Sequence, residues 1–161
     1  MSNPTLLLVD DEPDFRENLA TYLTEHGFSV VQAAGFEPAL AAARERDFDA
    51  ALIDVMMPGR DVLELLAQLK EVDAHLEVVV ITGAGSIEGA IEAMRRGAFH
   101  FLTKPARLAE VELMTERAVE KGRLARQNML YRDELRSRRA PGAPTVVANS
   151  APMRRLVDEA R

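Results

Sequence analysis

The sequence predicts a doubly wound α/β fold, with a five-stranded parallel sheet in the order 2-1-3-4-5, helices on both faces and an extended last helix. Two observations and one general rule carry that expectation. Five short apolar runs alternate with five helical patterns, which implies right-handed crossovers and a sheet covered on both sides. Four of those runs end in residues able to do chemistry: Asp10-Asp11, Asp54, Thr82 and Lys104. Ligands of open α/β sheets bind just outside the carboxyl ends of the strands, and this strand order sets the first and third strands side by side at the switch point.

The elements follow in order. Thr5 to Val9 is an apolar run delivering Asp10-Asp11-Glu12. Pro13 stands where a first helical turn tolerates it, and Phe15, Leu19, Tyr22 and Leu23 recur at helical spacing until Gly27. Phe28 to Ala33 reads as a strand, and Glu37 to Arg46 as an alanine-rich helix with Pro38 in its first turn. The run from Asp49 to Asp54 is bounded by turn residues and too short for a helix, so it reads as a buried strand entering a Pro58-Gly59 loop. Asp61 can cap a helix whose apolar face is Val62, Leu65, Leu66 and Leu69. Leu76 to Ile81 is the most β-branched strand, leading to Thr82 and a Ser86-capped helix that stops at Gly97. Ala98 to Thr103 is the fifth strand, ending in Lys104-Pro105. Helical pattern resumes at Leu108 and runs to about Arg139, where Leu124, Asn128, Tyr131 and Leu135 alternate in steps of four and three, the seam of a short coiled coil. Ala140 to Pro144 then breaks the helix.

Composition bounds what the protein can be. With 161 residues, of which 47% are hydrophobic, the chain holds one full domain plus a remainder. It has no cysteine, which leaves no disulfide framework or zinc knuckle and makes the cytoplasm the expected compartment. Neither a secretory leader nor a membrane span is expected. Residues 1–106 carry eight Lys and Arg against eighteen Asp and Glu, net −10, whereas residues 107–161 carry twelve against eight, net +4. The acidic first part is a poor direct ligand for nucleic acid, whose phosphates select positive surface.

The rim is where the chemistry concentrates. Alone, Asp54 is as readily a strand cap as a functional carboxylate, Lys104 a solvated lysine, and Thr82 a strand-ending hydroxyl. Side by side, strands one and three bring three or four carboxylates together. Two carboxylates ~4 Å apart repel by ~4 kcal/mol at an effective dielectric near 20. A hard divalent cation relieves that conflict, and an all-oxygen site with room for waters and a phosphate suits Mg²⁺. Carboxylates for a metal, an aspartate nucleophile, a hydroxyl and an ammonium are the set needed to accept a phosphoryl group.

Through LLLVDDEP, ALIDVMMPG, VVVITGAGS and GAFHFLTKP the chain resembles the response-regulator receiver domain, flavodoxin-like and CheY-like in fold. The resemblance implies that Asp54 is the phosphoacceptor for a sensor histidine kinase. It further implies that Asp10, Asp11, Asp54 and the Met56 carbonyl serve Mg²⁺, Asp10 mainly through a water, and that Lys104 pairs with a phosphoryl oxygen. Thr82 and Phe101 would be the switch residues, and Lys104-Pro105 is expected to be cis. The last helix and VVANSAPMRRLVDEAR resemble the junction between receiver and AAA+ module in NtrC-type sigma-54 activators, DctD-like among them. That implies a receiver at residues 1–122, a helical dimerisation linker at 123–139, a flexible linker at 140–145 and the start of an AAA+ module at 146–161. The implied role is a homodimeric phosphoacceptor, not an enzyme, that controls an AAA+ module and through it sigma-54 RNA polymerase.

Two departures from the family pattern stand out. Asp61-Val62 replaces the usual Asp-Gly, and a β-branched residue resists positive φ; Ala106 replaces the common aromatic after Lys-Pro. Among rival readings, a stand-alone phosphorelay receiver shares the site. A haloacid-dehalogenase-type phosphohydrolase would need a second Asp two residues after the first-strand nucleophile, and here Glu12-Pro13 follows Asp10-Asp11. A flavodoxin-like electron carrier would need a Ser/Thr/Gly-rich loop after strand one. Neither a GxxxxGK phosphate loop nor a helix-turn-helix occurs before Arg161, so ATP hydrolysis and promoter binding are not expected of this segment.

Overall fold

The computed structural model describes residues 3–57, 61–83 and 87–139. The Ser86 cap, the Pro58-Gly59 turn and everything beyond residue 139 lie outside them. Five strands, β1 (Thr5–Val9), β2 (Ser29–Ala33), β3 (Ala50–Asp54), β4 (Glu77–Thr82) and β5 (His100–Thr103), alternate with α1 (Pro13–Glu25), α2 (Phe36–Glu45), α3 (Val62–Val72), α4 (Ile87–Arg95) and α5 (Leu108–Arg139). The sheet is wholly parallel in the order β2-β1-β3-β4-β5. Sequence and structure agree on every element, with boundaries moving by one or two residues. Phe28 is spent on closing α1, its N–H donating to Leu23 O, and Phe99 already pairs with Val78 O before β5 begins.

Successive strand residues point to opposite faces, and each face has its own core. Leu7, Val9, Ile53, Val78 and Val80 pack with Phe36, Leu40, Leu65, Leu66 and Leu69 from α2 and α3. Leu6, Leu8, Leu52, Val79 and Ile81 pack with Leu19 and Leu23 of α1 and Val111, Ala118 and Val119 of α5. Burial on both faces is why the central strands read as unbroken apolar runs. Gly27 and Gly97, which follow α1 and α4, take φ of +98° and +105°, a region nearly closed to other residues.

Two helix starts answer sequence expectations directly. Pro13 opens α1 with Glu12 at the cap, and Asp61 caps α3 by accepting a hydrogen bond from Leu63 N at 2.9 Å. Asp61 itself has φ −78° and Val62 enters the helix, so the β-branched residue meets no positive-φ demand. Ala106 is half-buried against the α1/α5 core.

The first compact unit of the chain ends at Leu124, within α5. The charge step at residue 106 therefore marks the approach to α5, not the end of the first unit. That unit closes on a clasp at the amino edge of the sheet. Lys121 Nζ lies 2.8 Å from Glu77 Oε2, and Lys70 Nζ lies 3.9 Å from Glu77 Oε1. Arg123 donates to both Asp49 oxygens at 3.2 and 3.4 Å, while Asp49 also accepts from Thr5 N. Between them Gly122 comes so close that a Cβ there would meet His75 O at 3.0 Å and Asp49 O at 3.4 Å. Among the described residues no helix is long and apolar enough to cross a membrane.

Candidate functional site

The carboxyl ends of β1, β3, β4 and β5 place Asp10, Asp11, Asp54, Thr82 and Lys104 on one rim. Asp10 and Asp54 are buried and Asp11 is exposed, and one carboxylate oxygen from each lies within 4.8 Å of the others. Local backbone fixes two of the three. Asp10 Oδ1 accepts from Glu12 N at 2.8 Å and Asp54 Oδ1 from Met56 N at 3.0 Å, turns that leave Oδ2 of each facing inward. There they meet Lys104, whose Nζ is 3.3 Å from Asp10 Oδ2 and 3.5 Å from Asp54 Oδ2. The Lys104-Pro105 bond is cis, and Lys104 N donates to Thr82 O at 2.7 Å.

Burial pushes the Asp54 carboxyl above the usual carboxylate range. The Asp10 charge adds to that push, while the Met56 N–H and Lys104 oppose it. Burial pulls Lys104 down, but Asp54 and Asp10 together outweigh it and raise its pKa above the ordinary lysine value. Lys104 is therefore a firmly protonated ammonium. Three carboxylates around one ammonium leave two surplus negative charges. All their donor atoms are hard oxygens within reach of one small ion, so the residues present fit Mg²⁺.

The remaining candidates fall in two groups. Thr82 is fully buried, its hydroxyl donating to Gly83 O at 3.1 Å, and Phe101 is half-buried against the α2/α3 core, its ring 5.9 Å from that of His100. The Met56 side chain is exposed. Leu124, Asn128, Tyr131 and Leu135 lie on α5; the first three are exposed and Leu135 is half-buried. Sequence reasoning missed two neighbours of the site. Phe15, assigned only to the apolar face of α1, puts its ring 4.2 Å from Lys104 Nζ. Arg16 donates to Asp10 O at 2.8 Å and to Gln32 Oε1 at 3.0 Å. Their one sequence signal is position, a first helical turn immediately after the paired aspartates.

Residues 6–116 match the model of the response regulator receiver domain. The chain belongs to that family. Among its relatives are NtrC-type activators. It is 38% identical over 124 residues to the nitrogen assimilation regulatory protein NtrX of Azorhizobium caulinodans, covering 76% of this chain and 27% of that protein. It is 36% identical over 155 residues to the C4-dicarboxylate transport transcriptional regulatory protein DctD of Pseudomonas aeruginosa, covering 96% of this chain and 33% of that one. The crystal structure of the receiver domain of NtrX from Brucella abortus superimposes with a TM-score of 0.69 at 38% identity, over 71% of this chain and 98% of that one. The chain thus spans about a third or less of the length of these two curated relatives, and residues 6–116 are the receiver domain of a two-component response regulator.

Proposed function

We propose that this receiver takes a phosphoryl group from the phosphohistidine of a sensor kinase onto Asp54. The observation that supports the reading best is the ammonium of Lys104 standing between the carboxylates of Asp10 and Asp54. In the transfer, Asp54 Oδ2 attacks phosphorus, the P–N bond to the kinase histidine breaks, and the electron pair leaves with the imidazole. Asp10, Asp11, Asp54 and the Met56 carbonyl would hold Mg²⁺, with Asp10 acting mainly through a water. Bound there, the ion supplies charge neutralisation for the transferring group. Lys104 turns from Asp54 to a phosphoryl oxygen. Thr82 gives up its bond to Gly83 O for another phosphoryl oxygen, and Phe101 follows it inward.

Two charge-assisted hydrogen bonds at ~1.5–3 kcal/mol each approach the ~5.5 kcal/mol needed to move a conformational equilibrium from 1:99 to 99:1. The receiver, expected over residues 1–122, runs through Leu124 once the Arg123–Asp49 contact is counted with it. It precedes a dimerisation helix that ends at residue 139, a linker at 140–145 and the start of an AAA+ module at 146–161. Phosphorylation rearranges the homodimer and thereby controls that module and, through it, sigma-54 RNA polymerase in the cytoplasm. The piece is a phosphoacceptor and not a turnover enzyme beyond loss of its own phosphate. Incubation with acetyl phosphate and Mg²⁺ tests the site. Wild type gains one phosphoryl group by intact mass, and Asp54→Ala or excess EDTA abolishes the gain; uptake by Asp54→Ala would assign the phosphate elsewhere.

A further inference from the structure

We propose that Phe15 is a positioning residue for Lys104, and through it for phosphoryl uptake at Asp54; the inference deepens the function proposed above and rests on it. Among the described residues, Lys104 Nζ lies 3.3 Å from Asp10 Oδ2, 3.5 Å from Asp54 Oδ2 and 4.2 Å from the centre of the Phe15 ring. Both carboxylate distances exceed the roughly 2.7–2.9 Å of a tight charge-assisted bond. The ammonium is held between two acids and committed to neither. A ring face attracts a cation within about 6 Å but offers no lone pair. It therefore holds Nζ toward the rim, in place of a water that would compete for its N–H groups, and leaves those groups available to an incoming oxygen.

Placement fits the role. Phe15 lies in the first turn of α1, whose start is set by Pro13, and its half-buried ring packs on the core shared by α1 and α5. The next residue, Arg16, bonds the carbonyl of Asp10. One helical turn thus steadies both the backbone of an acidic ligand and the ammonium opposite it. When the phosphoryl group arrives, Asp54 Oδ2 is consumed by the new P–O bond and Nζ must shift to a phosphoryl oxygen. Attraction to a ring face is weakly directional, so the cation can make that shift without leaving the ring. An aliphatic side chain of similar bulk would fill the space and lack the attraction.

The test compares Phe15→Leu and Phe15→Tyr in the whole chain. It measures the initial rate of phosphorylation by acetyl phosphate at saturating Mg²⁺, the Mg²⁺ affinity, thermal melting and the NMR shift of the Lys104 ε-methylene protons. Phe15→Leu is expected to be about 3- to 10-fold slower, while Phe15→Tyr stays within about twofold of wild type and Mg²⁺ affinity is unchanged in both. The ε-protons should show an upfield ring-current shift in wild type and in Phe15→Tyr that vanishes in Phe15→Leu. A leucine variant as fast as wild type, or a tyrosine variant as slow as the leucine one, overturns the proposal. So does a loss of Mg²⁺ affinity that parallels the loss of rate, because the whole rim would then have moved. Wild type taking up no phosphate at all would instead defeat the underlying assignment of Asp54.

Discussion

At the scale of single residues, the rim sets a conflict that stability measurements can read. Asp54 is held above its ordinary pKa chiefly by burial, so the folded protein holds this proton more tightly than the unfolded chain. Stability then falls as pH rises from the ordinary carboxylate value through the raised one. Lys104 follows the same sign, but there the charged form is the stabilising one. Its raised value means a contribution that is full below the ordinary lysine pKa and lost only as pH rises through the folded one. Without metal at neutral pH, Asp54→Asn should therefore melt higher than wild type, by an amount on the order of 1 kcal/mol or roughly 4 °C. That advantage should shrink toward pH 4, and Mg²⁺ bound to the folded wild type as proposed would shrink it again. A variant that melts lower than wild type at neutral pH without metal would mean that the Met56 and Lys104 contacts outweigh burial. Asp10, Asp54, Thr82 and Lys104 were legible in the sequence because each ends an apolar run, and parallel strands align their ends by construction. Phe15 was not, since its helical spacing describes a core face equally well and only the fold brings Lys104 over its ring.

At the scale of elements, β3 and β4 are used at both ends. Their carboxyl ends carry Asp54 and Thr82, and near their amino ends Asp49 and Glu77 grip α5 through Arg123 and Lys121. Helical periodicity placed α5 correctly but could not reveal this clasp, whose partners lie 74 and 44 residues apart. Gly122 is its hidden signature, a residue that looks like a defect inside a helix. Alanine there would gain about 1 kcal/mol of helix propensity. Its Cβ, however, would press on two backbone carbonyls, His75 O and Asp49 O, at 3.0 and 3.4 Å. His75 N is itself tied to Asp73 Oδ1, which leaves the turn little room to yield, and overpacking of this kind typically costs about 1–3 kcal/mol. Gly122→Ala should thus lower the melting temperature by a few degrees and speed amide exchange near residues 119–124, with phosphate uptake at Asp54 unchanged. A higher melting temperature would show that the turn yields and propensity wins.

At the scale of the whole molecule, the open question is what covers the second half of α5. Residues 125–139 are about four helical turns, and an isolated helix of that length is marginal in water. Leu124, Met129, Leu130 and Tyr131 are all exposed in the single chain, which helix propensity alone does not justify. The spacing of Leu124, Asn128, Tyr131 and Leu135 suits a parallel two-stranded coil, in which paired Asn128 side chains can hydrogen-bond only when the two helices are in register. Two heptads with a polar residue in the seam make a weak association, so dimers are expected at tens of micromolar and dissociation on dilution. Light scattering should show the full chain approaching twice its monomer mass, and a chain ending after Leu124 running as monomer. The cut belongs there because an earlier one would remove Arg123 from Asp49 and damage the receiver as well as the seam. Leu124→Glu combined with Tyr131→Glu should reproduce the monomer without any truncation. A full chain that remains monomeric at about 100 micromolar, where a Kd of that order is only about 5.5 kcal/mol of association, removes the dimer from the proposed function. A truncated chain that dimerises equally well moves the contact onto residues 1–124, where the exposed Ile87, Ile91, Leu108 and Leu113 offer the competing apolar surface.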